Sequence, residues 1–400
     1  MGLLNLRNAL MTGKRLPYDA EVEYLESTGT QWIDTGVYAS LSTVVQLCFL
    51  NVAQTGNLIF GTYNSNDNAD YRLFNAAQGL YFDAYGRRLQ MDSALNMNIW
   101  RELELGNFYV KDLATGEELL RGTTGTDKLP DATLTLNHYV NGSTQQNSKN
   151  RWAHVKIYQN GVPVRDYIPV RKGTVGYLYD PVTGKLFGNA GTGDFVLGPD
   201  VVPVEYIESH GTEWMDIYTF TGSETSLRYN IDFVITQDSS STQDFVLGVS
   251  SLGNIGPRLA RYSGVFCYSC DSGNVVFGQP ASLNQRYEID FTYNSDGTIE
   301  SSINGGAVST YQRAFYSSRG SSNYLFGLVR NSVYGMIGRV YRMKMWADST
   351  LVHNFIPVRV GTDATSWEGA MMDILTRRIY RNAGTGAFTY GNDRSYPIPA

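Results

Sequence analysis

Cysteine is rare: Cys48, Cys267 and Cys270 are the three in 400 residues, too few for a disulfide framework to define the fold. Cys267 and Cys270 have the spacing of a redox pair or half a zinc site. The four histidines are scattered singly, however, and no helix opens at Cys267, so neither chemistry is expected. In a β-rich run, residues i and i+3 face opposite ways, which makes the pair a structural one. Charge is sparse at 18% of residues, with a net −6 and no cluster of lysine or arginine. That excludes binding through the backbone of a nucleic acid. Apolar runs all fall short of the ~18 residues a membrane-spanning helix needs, so no membrane insertion is expected. Residues 1–12 lack a basic start and a small-residue cleavage site, and Asn5, Arg7 and Asn8 interrupt them. No secretion signal is read there, and the product is expected to stay where it is made or to leave by lysis.

What is plentiful is glycine (41), tyrosine (28) and phenylalanine (17), turn formers and β-favouring aromatics that together predict an all-β protein. Helical spacing stands out at one place, where Leu3, Leu6 and Leu10 fall on one face with Leu4 and Met11 beside them. Residues 1–19 are therefore expected to be a short helical arm that anchors the chain.

The rest of the chain is one unit written twice. Tyr167-Ile-Pro-Val-Arg171 recurs as Phe355-Ile-Pro-Val-Arg359, and Asn189-Ala-Gly-Thr-Gly193 as Asn382-Ala-Gly-Thr-Gly386. Upstream, Val22-Glu-Tyr-Leu-Glu-Ser-Thr-Gly-Thr30 matches Val204-Glu-Tyr-Ile-Glu-Ser-His-Gly-Thr212. A period this long means tandem whole domains, since solenoid repeats are far shorter. The expected boundaries are a first domain over 20–198, a linker over 199–203, a second domain over 204–392 and a tail over 393–400. So short a linker predicts that the two units touch. Within each domain, short β-type runs alternate with Gly, Asn and Asp clusters, the spacing of a sandwich or barrel. Residues 43–52 are apolar on nearly both faces and should form a central strand. Asp180-Pro-Val-Thr-Gly184 is a turn signal closing a hairpin, and its second copy carries Arg377 where the first has Gly184.

An opening of VEYLESTGTQWIDTGV and a close of RWAHVKIYQNGVPVRDYIPVRKGTVGYLYDPVTGKLFGNAGTGDFVLG resemble the concanavalin A-like, laminin-G-type domains of gut bacteria and their phages. The resemblance covers 20–198 strongly and 202–391 more weakly. It implies two tandem jelly-roll β-sandwiches, each with a concave face that in many relatives holds glycans or protein partners. It does not fix a function, because the fold hosts lectins, glucanases, adhesins and spacers.

Glucanases of this fold carry Glu-x-Asp-x-x-Glu on one strand, which places nucleophile, helper and acid on one face. Glu288-Ile-Asp290 comes near, but Tyr293 stands where the third carboxylate belongs, and Glu102-Leu-Glu104 in the first unit also lacks it. Without an acid the glycosidic oxygen has no proton donor, so no catalysis is expected. Gly188 to Gly193 is read as a turn, not a phosphate loop, since no Lys-Ser/Thr and no helix follow. Arg171 and Arg359 are expected to pair with carboxylates inside their own units. Calcium is the one cofactor considered, optional and not required, with Asp67 and Asp70 in the loop from Asn64 as its best ligands. Aromatic platforms for sugars are sought among Tyr63, Tyr71, Tyr81 and Tyr85 of the first unit and Tyr262, Tyr268 and Tyr316 of the second.

The reading that follows is a non-enzymatic phage virion protein, on a fibre, head decoration or tail, made in the host cytoplasm. Its arm (Leu3, Leu6, Leu10) would meet other virion proteins, and its sandwiches would meet host-surface or mucus glycans. A bacterial surface adhesin or carbohydrate-binding module is the alternative and a glycoside hydrolase the third reading. A homo-oligomer is compatible with all three, but no heptad stem encodes one.

Overall fold

The computed structural model describes residues 16–53, 57–64, 69–123, 128–141, 144–219, 224–239, 243–250, 257–271, 274–312, 322–329, 333–361 and 366–394. Among these there are strands and turns and no helix. The expected helical arm with Leu3, Leu6 and Leu10 lies outside the described residues. The chain divides into two compact units, with the boundary in sequence between Val201 and Val202.

In the first unit a six-stranded sheet is formed by β1 (Ile33–Tyr38), β2 (Asn57–Asn64), β3 (Ala69–Ala76), β4 (Gly79–Ala84), β5 (Arg87–Met91) and β6 (Thr133–Leu136). Its order is β1-β6-β2-β3-β4-β5. In the second unit β7 (Met215–Thr219), β8 (Gln243–Ser250), β9 (Leu259–Tyr262), β10 (Val265–Asp271), β11 (Asn274–Pro280) and β12 (Ser322–Leu325) give the order β7-β12-β8-β9-β10-β11. The two orders are the same, so the duplication read in the sequence is a duplication of topology.

The opposing sheet repeats as well. In the first unit Val44–Asn51 lies between Trp100–Gly106 and Asn150–Gln159, and the latter pairs onward with Val162–Lys172 and then Val175–Asp180. In the second, Ser226–Gln237 lies between Arg286–Asn294 and Ile337–Ala347, followed by Thr350–Gly361 and Trp367–Asp373. All these pairings are antiparallel. The expected central strand is therefore central: Val45, Leu47 and Phe49 point into the core, while the alternate residues face the other side. Across from them Tyr71, Leu73, Leu80, Phe82, Leu134 and Leu136 fill the core from the six-stranded sheet.

The repeated Asn-Ala-Gly-Thr-Gly stretch is a clasp rather than a ligand loop. Asn189 Oδ1 accepts from the Trp32 and Gly191 amides, while Ala190 N and Thr192 N donate to the carbonyls of Trp32 and Thr30. Asn382, Ala383 and Thr385 make the same bonds to Trp214 and Thr212. Glycine is needed at the third position because a Cβ on Gly191 would stand 2.0 Å from the Thr30 carbonyl, and one on Gly384 2.1 Å from that of Thr212. Arg171 and Arg359 are spent as expected, each on a carboxylate of its own unit, Asp200 and Asp393. Asp200 and Val201 pair with Val22 and Glu21, so the start of the expected linker is strand. Asp393, expected in the tail, likewise belongs to the second unit through Arg359 and a bridge to Val204.

The closing turn of the first unit has Gly184 at φ 71, and Arg377 holds the same left-handed conformation at φ 64 in the second. No atom lies near a Cβ built on Gly184, so Gly184→Ala is expected to cost about 1 kcal/mol from backbone strain alone. Chemical denaturation checks this.

Candidate functional site

The six-stranded sheet of the first unit turns its other face away from the core, and one row of residues crosses it from strand to strand. Asp34 pairs with Thr135, Thr135 with Gly61, Gly61 with Arg72, Arg72 with Asp83 and Asp83 with Arg88. Residues opposite one another in a sheet share a face, so these six stand in line over roughly 24 Å at a strand spacing of ~4.8 Å. Gly61 leaves a gap in the line. It is required by the backbone: at φ 130 a Cβ would lie 2.1 Å from the Tyr71 carbonyl.

Asp83 is the hub. It accepts Arg72 Nε and Nη2 at 3.0 and 2.7 Å and Arg88 Nε and Nη2 at 2.7 and 2.8 Å. One step along the strands Phe74 pairs with Tyr81, their rings stacked at 4.8 Å and 6°. The Arg88 guanidinium lies 5.3 Å from both ring centres, and that of Arg72 lies 4.0 Å over Tyr63 and 5.2 Å from Phe74. Cation–π contacts and a shared carboxylate thus hold two guanidiniums and three rings in fixed positions. Arg72 is nearly enclosed, whereas 53% of the Arg88 side chain is exposed.

Asp70 stands on the same face of β3, two residues before Arg72. Burial, and then the nearby Asp83 carboxylate, push its pKa up to about 6 against the partial offset of the Gly86 amide and the two arginines. A raised acid pKa means the ionised form is disfavoured in the fold, so stability is full below about pH 4 and falls as pH rises through 6. Asp70→Asn is expected to remove that loss, up to about 3 kcal/mol at pH 7.5. Melting temperature against pH, native beside variant, measures it.

The tyrosines expected as platforms divide. Tyr71, Tyr85 and Tyr268 are fully enclosed, and their rings offer no face to a ligand. Tyr71 belongs to the alternate set that packs the core, where its hydroxyl donates to the Leu105 carbonyl. Tyr85 is likewise packed against Tyr71 and Phe108. Tyr63 and Tyr81 are brought together around Arg72 and Arg88, Tyr63 half-buried and Tyr81 only 9% exposed. Tyr262 is half-buried against Phe245, Ala260 and Cys267. Asp67 and Tyr316 lie outside the described residues. Among the described residues no three His, Cys, Asp or Glu side chains come together as a metal site. Arg72, Phe74, Asp83 and Arg88 were not singled out from the sequence. The signal was there in period-two spacing: Arg72 and Phe74, then Tyr81 and Asp83, alternate with the core positions Leu73 and Phe82.

The second unit keeps the skeleton of the row and fills it differently. Tyr324 pairs with both Asp216 and Gly248, where Thr135 pairs with Asp34 and Gly61. Arg258 precedes Leu259 as Arg72 precedes Leu73, and it is buried. The stacked Phe74 and Tyr81 are replaced by Ala260 opposite Cys267. Cys267 is disulfide-bonded, which the expectation that Cys267 and Cys270 face opposite ways did not anticipate. A register shift between Cys267 and Ser269 changes the strict alternation on which that expectation rested.

The carboxylates of the glucanase-like strand are spent elsewhere. Glu288 accepts from Arg342 at 2.8 Å and Asn230 at 3.1 Å, and Asp290 holds Arg228 at 2.9 and 2.7 Å. Glu104 accepts from Gln46 and Tyr109, both at 2.8 Å.

No model of a known protein family matches the chain, and no curated protein matches it in sequence. Solved structures that resemble it include domains LG4-5 of the mouse laminin alpha1 chain, 13% identical over 83% of this chain and 90% of that one, with a TM-score of 0.29. An inferred carbohydrate-binding protein of Bacteroides ovatus is 10% identical over 95% of this chain and 96% of that one, with a TM-score of 0.34. Trypanosoma rangeli sialidase in complex with sialic acid is 9% identical with a TM-score of 0.32; the match takes in 73% of this chain and 53% of the sialidase, about half its length. The architecture itself rests on the sheets: each unit is an all-β sandwich of a six-stranded sheet and an opposing antiparallel sheet, present in tandem.

Proposed function

We propose that this chain is a non-enzymatic, lectin-like protein that binds a glycan across the six-stranded sheet of its first unit. The observation that carries the reading is the fixed row from Asp34 to Arg88 with the half-buried rings of Phe74 and Tyr63 beside it. Rings that pack on a sugar's apolar face next to oriented polar groups are the usual means of holding carbohydrate. A scaffold has no need of an Arg88 guanidinium held in place on a side chain 53% exposed. Both outer carboxylates of a hydrolytic strand are absent or paired, which speaks against turnover.

The setting we propose is a phage virion surface, on a fibre, head decoration or tail, where the first of the two tandem domains would contact host-surface or mucus glycans. Other virion proteins would be its partners. The disulfide at Cys267 favours a second setting, a bacterial surface adhesin, because such bonds persist in oxidising compartments. A broad glycan array probed with the full chain, with and without calcium, tests the binding claim. Saturable binding that chelator leaves unchanged is expected; an array blank at every glycan would end the lectin reading. Detection of the chain in purified particles separates the two settings.

A further inference from the structure

Resting on that reading, we infer that the β5 end of the row is a subsite for an anionic oxygen group, so the ligand is an acidic polysaccharide carrying carboxylate or sulfate. Arg88 is the residue that carries this. Its Nε and Nη2 are committed to Asp83, which leaves Nη1 and its outward edge beyond the ion pair, on a side chain 53% exposed. Asp83, itself 2% exposed, and the Phe74 and Tyr81 rings hold that guanidinium in plane. An exposed arginine ordinarily sweeps many rotamers; one whose orientation is already fixed loses little entropy when it accepts a planar anion end-on.

Charge along the row supports the same placement. Arg72 and Arg88 share the carboxylate of Asp83, with Asp70 the other acid beside them, and of these four groups Arg88 is the one with an exposed side chain, so a cation is what this end of the row presents outward. The row's exposed acid, Asp34, stands on β1 at its opposite end, beyond Gly61 and Thr135. An acidic polysaccharide lying across the strands would therefore meet a cation at β5 and an acceptor at β1, which gives it a direction. The second unit lacks the subsite: Ala260 and Cys267 replace the rings on which Arg88 rests.

The test uses the full chain and two matched pairs of probes: polygalacturonate against its methyl ester for carboxylate, and dextran sulfate against dextran for sulfate. In at least one pair the charged member is expected to bind roughly tenfold to a hundredfold tighter, the range for one charge-assisted contact. Arg88→Gln should bring that ratio close to one, and Arg88→Lys should leave it between the two. Both variants should melt near the native temperature, since the side chain is half exposed. Equal binding of charged and neutral members, or a preference that Arg88→Gln leaves intact, overturns the anionic subsite while the lectin reading stands. Absence of binding to all four probes and to the array overturns both.

Discussion

Asn137→Ala is expected to destabilise the first unit by about 3–5 kcal/mol and leave the second unit's transition in place. Asn137 is buried at φ 66, and its Oδ1 accepts Trp152 Nε1 at 2.9 Å and Asn150 Nδ2 at 2.8 Å. Alanine strands Trp152 Nε1 at about 1–3 kcal/mol, costs about 1 kcal/mol at Asn150 Nδ2, which keeps Ser148 Oγ at 2.8 Å, and adds about 1 kcal/mol for a left-handed backbone. The second unit shows what the position demands. Phe326 stands there at φ 67, makes the equivalent backbone bonds, and packs on Phe388 at 4.8 Å instead of serving a polar network. Asn137→Gly should recover the backbone part and not the rest. Calorimetry of the full chain reads both; a change under 1 kcal/mol for the alanine variant would mean the network is not what holds Trp152.

Asp83→Ala is expected to cost about 3 kcal/mol, because it takes from Arg72 and Arg88 the carboxylate they share. The ring stack should loosen with it, and glycan binding should fall with stability. Asp83→Ala combined with Arg72→Met is expected to cost less than Asp83→Ala alone, since removing a buried charge with its partner avoids stranding it. Denaturant titration of the single and double variants decides this; a double variant worse than the single would place the value of Arg72 outside the pair.

The fold was legible because the duplication repeats its signals: the Asn-Ala-Gly-Thr-Gly clasp appears twice with the same partners, and each unit has one long strand at the centre of its opposing sheet. The site was less so. Tyrosine was sought by type, yet Tyr71 and Arg72 are neighbours in sequence that face opposite sides of the sheet, and parity alone separates a core ring from a surface cation. Nor does sequence show that Asp83 and Arg72, eleven residues apart, meet across a hairpin whose register places them opposite one another. Cys267 failed for the related reason that a local register shift breaks the alternation assumed for it.

The central claim is that one unit binds and the other does not. Isothermal titration of the full chain with its best glycan, native beside Phe74→Ala, tests it directly. One ligand per chain is expected, with affinity at least tenfold lower in the variant, whose face then carries alanine where the second unit has Ala260. Two ligands per chain, or a variant that binds as well as the native protein, would contradict the account.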